Sequence, residues 1–434
     1  MPKIDDLKHY LEKDNQPINR SWSRREVLML FSTASAGILG INFPWRNAIA
    51  QTLGIPSNAR SGGPPSGGGP GGNSAALAEA FKGITTDGTV IPDLFPIYRT
   101  GVSTRPILIA AQAFLSSLNE SQRSSGLFDL EDNEWRKWSN VDMYQRQGIS
   151  LRDMSEEQKK AAFGLLSASL SAKGLELSRN IMKLNTTEGE LLNQLSRFNK
   201  DLYWFTIMGT PHETEPWGFQ LDGHHLIINY FILGDQVVMS PAFFGSEPPV
   251  STSGAYKGIS VLQNEQDYGL AMINALSDEQ RSKAIVQTGK TGNNLIAGAF
   301  QDNLIVDYIG IQASLLASAQ QEQLMDLIAL WVNNMRDKHA LIKMKEVKSH
   351  MAETCFGWVG GIDSNAVFYY RIQSPVILIE FDHELPGPLG QVLPSSVPTR
   401  NHIHAIMRTP NGNDYGKALL RQHLLTHPHH NVAQ

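Results

Sequence analysis

The segment Phe219-Gln-Leu-Asp-Gly-His-His-Leu-Ile-Ile-Asn-Tyr-Phe231 is rich in aromatic and β-branched residues, which favour a β-strand. Residues 203–208 have a similar composition, and Gly209 and Pro211, which lie between the two segments, are typical of turns. The sequence therefore predicts a cluster of antiparallel strands near residues 203–239.

A second cluster of strands is predicted near residues 367–407. It consists of residues 367–372, 376–381 and 402–407, with a turn at Ser374-Pro375. Apolar residues at helical spacing precede each cluster, and before the first cluster they predict helices over residues 106–123 and 155–184. Helices, strands, helices and strands in this order indicate the α+β class, with a helical N-terminal part.

Three predicted helix starts have similar sequences. Ser155 and Ser277 are each followed three residues later by a glutamine, which is the spacing of a capping box. A similar start lies near residues 315–321, but the separations between the three starts differ. The sequence leaves two interpretations open, an internal duplication and independent capping boxes.

The composition of the chain excludes several classes of protein. Its 434 residues are 41% hydrophobic, which is sufficient for a globular core, and the net charge is −5. A mildly acidic chain without a basic block is a poor candidate for binding nucleic acid. The apolar runs beyond the N-terminal region are short, so no stable membrane span is expected in the mature chain. Cys355 is the only cysteine, which excludes an intramolecular disulfide.

Residues 1–50 are predicted to be a twin-arginine signal peptide. The pair Arg24-Arg25 precedes a short apolar run, and residues 48–50 fit a cleavage site with small residues. Paired arginines at this place are typical of the twin-arginine export route. We therefore expect the twin-arginine export machinery as a partner and a periplasmic or extracellular location.

The predicted signal peptide is followed by a change in composition. Residues 51–80 are rich in glycine, proline and serine, which indicates a flexible linker. Residues 81–434 regain a globular composition and are predicted to form one domain.

Polar residues interrupt the apolar segment 219–231. If the segment is one continuous strand, its side chains alternate between two faces. Gln220, Asp222 and His224 would then share one face, and His225 and Asn229 the other. Polar groups among isoleucines and leucines must be hydrogen-bonded or metal-bound if they are buried.

The strand predicted at 402–407 begins with the pattern His402-Ile-His404. Two imidazoles at this spacing lie on one face, with Cα atoms about 7 Å apart, and can bind one metal ion. Alternation in residues 379–384 places Glu380, Asp382 and Glu384 on one face and His383 on the other. The candidate metal ligands are therefore His402, His404, His383, His224 and Asp382, and Zn, Fe or Cu is the predicted ion.

Several functions are compatible with these residues. A bound zinc ion would activate water for hydrolysis of a small-molecule substrate, with Glu380 or Asp222 as general base. Iron or copper in the same ligands would instead make an oxidoreductase. Without a metal, the histidines and carboxylates would form a metal-free acid/base site or a hydrogen-bonded core network, the latter in an extracytoplasmic binding protein.

Longer motifs resemble the DUF3500 family, whose name records that no function has been assigned. The matching motifs are residues 95–104, 134–138, 216–225, 234–239, 368–372, 374–383 and 408–416. They span roughly residues 85–430, so the resemblance implies one family-length unit. It implies no reaction and no catalytic residue.

Overall fold

A computed structural model of the protein describes residues 74–427. The predicted signal peptide at residues 1–50 lies outside the described residues, as does the linker up to residue 73. The final residues of the predicted linker are described and include the short helix α1 (Ser74–Ala78).

Within residues 74–427, twelve strands form one mixed sheet. The strands are β1 (Leu127–Phe128), β2 (Ile149–Ser150), β3 (Tyr203–Met208), β4 (Trp217–Gly223), β5 (Leu226–Leu233), β6 (Gln236–Ser246), β7 (Ile285–Gln287), β8 (Ile311–Gln312), β9 (Cys355–Gly360), β10 (Phe368–Gln373), β11 (Leu378–His383) and β12 (Ile403–Arg408). Their order across the sheet is β1-β3-β4-β5-β6-β12-β11-β10-β9-β7, with β2 beside β3 and β8 beside β9. The two predicted strand clusters thus form the two halves of a single sheet.

Helices alternate with these strands along the chain. Besides α1, they are α2 (Arg105–Ser117), α3 (Glu120–Gly126), α4 (Glu156–Ser169), α5 (Ala172–Leu192), α6 (Gln263–Asn274), α7 (Asp278–Ala284), α8 (Ser318–Val332), α9 (Asp337–Ser349) and α10 (Lys417–Thr426). The α+β class is therefore confirmed. No helix within residues 74–427 is long and apolar enough to span a membrane.

The two faces of the sheet are covered by different kinds of structure. Phe244 of β6 packs against Trp331 of α8, with ring centroids 6.4 Å apart, so helices cover this face. The neighbouring Phe243 points to the opposite face, where it meets Trp138 at 6.5 Å, in a segment without regular structure. His404 also contacts Phe243, at 5.1 Å, so this histidine lies on the irregularly covered face.

The chain contains an internal structural repeat. From α2 to β6, the order is two helices, two short strands, two helices and four longer strands, and the same order returns from α6 to β12. Strand pairing repeats as well: β1 and β7 run parallel to β3 and β9, respectively, while β2 and β8 run antiparallel to them. Of the two interpretations of the helix starts, the structure supports a duplication.

The capping glutamines occupy equivalent places in the two repeats. Gln122 and Gln158 exchange amide hydrogen bonds of 3.2 and 2.7 Å between the starts of α3 and α4. Gln280 and Gln320 exchange bonds of 2.9 and 2.8 Å between the starts of α7 and α8. The start of α3 is thus equivalent to that of α7, and the start of α4 to that of α8. This correspondence is not visible in the sequence, because the three predicted starts are unequally spaced.

The repeats are related by an approximate two-fold axis through the middle of the sheet. Arg336 donates its backbone N–H to Ser169, and Ser171 donates its own to Asn334, both at 3.1 Å. A two-fold rotation that superposes one repeat on the other would also superpose one of these bonds on the other. Strands β6 and β12, each the last of its repeat, are antiparallel neighbours at the centre of the sheet.

Two predicted elements are interrupted in the structure. The helix predicted over 155–184 is divided into α4 and α5, because Leu170 and Ser171 are extended. The strand predicted over 219–231 is divided into β4 and β5 by a two-residue turn at His224 and His225. The predicted assignment of these two histidines to opposite faces of one strand is therefore wrong.

Candidate metal centre

Three histidine side chains converge beside the central strand pair. His404 lies in β12 and His402 directly before it, so alternation along the chain places both rings on one side, as predicted. His225 occupies the turn between β4 and β5 with a positive φ of 63°. Its carbonyl accepts the N–H of Gly245 in β6, at 2.8 Å, and Gly245 pairs with His404.

Gly245 leaves room for the rings to meet. A Cβ atom at this position would lie 3.1 Å from Cδ2 of both His225 and His404. Contacts of this length are tighter than ordinary van der Waals packing. A side chain at residue 245 would therefore push the two imidazoles apart.

The three rings face one another through their Nε2 atoms. The Nε2 atom of His402 lies 3.3 Å from that of His225 and 3.0 Å from that of His404. One potential ligand atom of each ring lies within 4.8 Å of the others. Nitrogens bound to one tetrahedral zinc ion at about 2.1 Å are about 3.4 Å apart, so the separations of 3.3 and 3.0 Å are close to and slightly shorter than this value.

The opposite nitrogens of two rings are held by acceptors. His402 Nδ1 donates to the carbonyl of Leu385 at 2.6 Å, and His404 Nδ1 lies 2.9 Å from Oε2 of Glu384. A carbonyl and a carboxylate accept hydrogen bonds, so they place the proton of each neutral ring on Nδ1. The two Nε2 atoms that lie 3.0 Å apart therefore both carry lone pairs.

The segment between β11 and β12 packs against His402. Glu247, which follows β6, accepts the N–H groups of Gly387 and Leu389 at 2.9 and 3.2 Å. Its carboxylate also lies 3.9 Å from Nδ1 of His402. A Cβ atom at Gly387 would lie 2.8 Å from this carboxylate, so glycine permits the close approach.

Burial keeps the three rings uncharged near neutral pH. It lowers the pKa of His404 to about 4 and lowers the pKa values of His402 and His225, with the neighbouring rings acting in the same direction on these two. Burial raises the pKa of Glu384 to about 7, although His402 and Lys290 oppose this shift. Neutral imidazole is the form of histidine that binds metal ions.

Three carboxylates on one face of β11 and just beyond it bind the segment 293–297. Asp382 accepts backbone N–H groups of Asn294 and Leu295 and forms an ion pair with Lys290 at 2.6 Å. Glu380 accepts the N–H of Ala297 at 2.8 Å and the hydroxyl of Tyr369 at 2.6 Å.

The shared face of Glu380, Asp382 and Glu384 agrees with the sequence prediction. Only Glu384 of the three contacts the histidine group, through His404, and it also accepts a bond from Asn293 at 2.9 Å.

The remaining predicted site residues lie in other hydrogen-bond networks. His383 points to the helical face, where Nδ1 accepts the Phe368 N–H at 3.0 Å and Nε2 lies 2.9 Å from Oε1 of Gln266. Asp222 forms a buried ion pair with Arg146 at 3.0 Å. His224 lies beside His225 in the turn, with ring centroids 3.9 Å apart, but is not one of the three converging rings.

Sequence reasoning missed two residues of the site. His225 was predicted to point away from His224 on a continuous strand, although a Gly-His-His sequence between two apolar runs is also compatible with a tight hairpin turn. Glu247 has no distinguishing local pattern, because only the pairing of β6 with β12 brings it to His402.

Comparison with known families assigns most of the chain to one family. A family model described as "Protein of unknown function (DUF3500)" matches residues 100–417. The chain belongs to this family, as its motifs indicate. No curated protein and no solved structure matches the chain.

Proposed function

We propose that the protein is a metal-dependent hydrolase in which His225, His402 and His404 bind one divalent cation. The observation that carries this proposal is the 3.0 Å approach of two Nε2 atoms whose rings both face a hydrogen-bond acceptor through Nδ1. Two lone pairs at this distance repel each other unless a cation or a proton lies between them. A metal ion would also explain why Nε2 of His225 faces Nε2 of His402.

Zinc is the ion we expect first. Three histidines with an open fourth position are a catalytic zinc arrangement, and a bound ion would supply the Lewis acidity with which zinc enzymes activate water. The carbonyl of Leu385 and the carboxylate of Glu384 would fix the orientation of the two ligand rings.

Glu384 is the carboxylate best placed to handle a proton near this site. With a pKa of about 7, it can take up or release a proton at Oε1 near neutral pH, while Oε2 accepts the Nδ1–H of His404. Asp222 and Glu380, the general bases predicted from the sequence, contact other partners instead.

The three ligand rings are almost inaccessible, since His225, His402 and His404 are 3%, 5% and 8% exposed. A substrate therefore reaches them only if covering structure moves, and the segment that packs on His402 around Gly387 is the nearest candidate. This burial supports a small-molecule substrate. The twin-arginine pattern at residues 24–25 supports its conversion outside the cytoplasm, with export machinery as the partner.

The proposal is tested by elemental analysis of protein that has been expressed with its leader and purified without chelators. We expect about one equivalent or more of zinc, and loss of ester, phosphoester or amide hydrolysis on a substrate panel after chelation, with recovery on adding zinc. Bound iron or copper with a coloured spectrum would favour the oxidoreductase alternative. Metal-free protein that cannot be loaded with any of these ions would contradict both and favour a binding protein.

A further inference from the structure

Glu188 of α5 is a fully buried carboxylate that lies beside the histidine turn. Neither of its oxygens accepts a hydrogen bond, and its side chain is not exposed. Oε2 lies 3.5 Å from Nδ1 of His224, beyond a strong hydrogen bond. A buried carboxylate without hydrogen bonds is costly unless a cation or a proton neutralises it.

The ring of His224 is oriented by a second residue of the same helix. Its Nδ1 lies 2.9 Å from Oδ1 of Asn185, while Nδ2 of Asn185 donates to the carbonyl of Asn199 at 3.1 Å. The second bond identifies which end of the amide faces His224, so Nδ1 of that ring is the donor. Nε2 is then left with a lone pair for another partner.

We propose that Glu188, His224 and His225 bind a second divalent cation, so that the centre is binuclear and His225 contacts both ions. One potential ligand atom of each of these residues lies within 4.8 Å of the others. Two histidines and one carboxylate are a ligand set that zinc and non-haem iron both use. The inference rests on the proposed function, because it takes the three-histidine group as the first site.

His225 can serve both ions because an imidazole ring has two nitrogens. Its Nε2 faces His402 in the first group, which leaves the other ring nitrogen for the second ion. Binding through both nitrogens releases the remaining ring proton to solvent. The second cation would neutralise Glu188, and Asn185 would hold His224 in the way that outer partners orient metal-binding histidines.

The test is the zinc stoichiometry of the full chain after chelator stripping, reloading with Zn²⁺ and dialysis. We expect two ions per wild-type chain and one in each of the variants Glu188→Gln and His404→Ala. Glu134→Gln is the control, since Glu134 is also a buried carboxylate, but it pairs with Lys137 at 3.2 Å and belongs to neither group. This control should retain two ions.

The outcomes separate the two proposals. One ion in both the wild type and Glu188→Gln would overturn the second site and leave the three-histidine site intact. One ion in the wild type and none in either variant would mean a single site that includes Glu188, which overturns the binuclear centre. No ion in the wild type would overturn both proposals, and loss in Glu134→Gln would overturn the assignment to Glu188.

A measurement without variants covers the case in which Glu188→Gln does not fold. Anomalous diffraction at the zinc edge from crystals of the reloaded wild type should show two peaks beside the ring of His225. A single peak would overturn the second site.

Discussion

The two ends of β12 differ in how their buried polar groups are satisfied. At its last residue, the guanidinium of Arg408 forms ion pairs of 3.0 Å with Asp302 and Asp414 and donates to two carbonyls as well. At its start, His402 and His404 face each other with unprotonated nitrogens. The donors of the arginine are all matched to acceptors, as in a structural network, whereas two facing lone pairs repel each other unless a proton or a cation lies between them.

The internal repeat shows where this difference arises. Strands β5 and β6 are joined by the two-residue turn Gly234-Asp235, while the equivalent connection from β11 to β12 runs from Glu384 to His402. The longer connection supplies Glu384, Leu385 and Gly387, all of which contact the ligand rings or Glu247. The repeat therefore provides the scaffold, and the enlarged connection adds groups that contact His402, His404 and Glu247.

The largest expected loss of stability is at Arg408, the last residue of β12. Arg408→Met leaves Asp414 without its cation in the core, while Asp302 keeps its pair with Arg136, and this should lower the free energy of unfolding by about 3–5 kcal/mol. Denaturant unfolding measures this loss, and the exposed Arg105→Met should change it by about 0.5 kcal/mol or less. Unchanged stability of Arg408→Met would show that this network is not structural.

At the histidine end, we expect His404→Ala to reduce metal affinity more than it reduces stability, because it removes one of three ligands. His383→Ala is the matched control, since it removes another buried ring from the same sheet. It should leave metal content unchanged but lower the free energy of unfolding by about 1–3 kcal/mol, because the Phe368 N–H loses its acceptor. Equal metal content in both variants would refute the contrast between the two histidines.

Glu384→Gln should have a smaller effect on metal binding. The residue orients His404 without being a ligand, so a loss of about 10–100-fold in affinity is expected from competition with a chelator. Asp382→Asn, on the same face, should instead weaken stability through its pair with Lys290. A larger metal loss in Asp382→Asn than in Glu384→Gln would place the ion elsewhere on this face.

The smallest effect is expected at His427, an exposed residue after α10 that stacks on His423 with ring centroids 4.8 Å apart. His427→Ala should leave metal content unchanged and alter the free energy of unfolding by about 0.5 kcal/mol or less. A clear fall in metal content would show that the C-terminal histidines take part in binding.

Much of the fold and part of the site could be predicted because their signals are local. Strand β3 was predicted with the bounds that it has in the structure, and the shared side of His402 and His404 follows from their spacing in an extended segment. The capping boxes at Ser155 and Ser277 were readable for the same reason, since a cap involves residues only three positions apart.

The sequence by itself determined the α+β class, the positions of most strands and one pair of candidate ligands, because composition and side-chain alternation act over a few residues. Only the tertiary structure decided that the strand clusters form one sheet and that β6 lies against β12. That pairing brings His225 and Glu247 to the histidine pair, and helix packing brings Glu188 to the same turn. These contacts join residues far apart along the chain, and no local pattern encodes such distances.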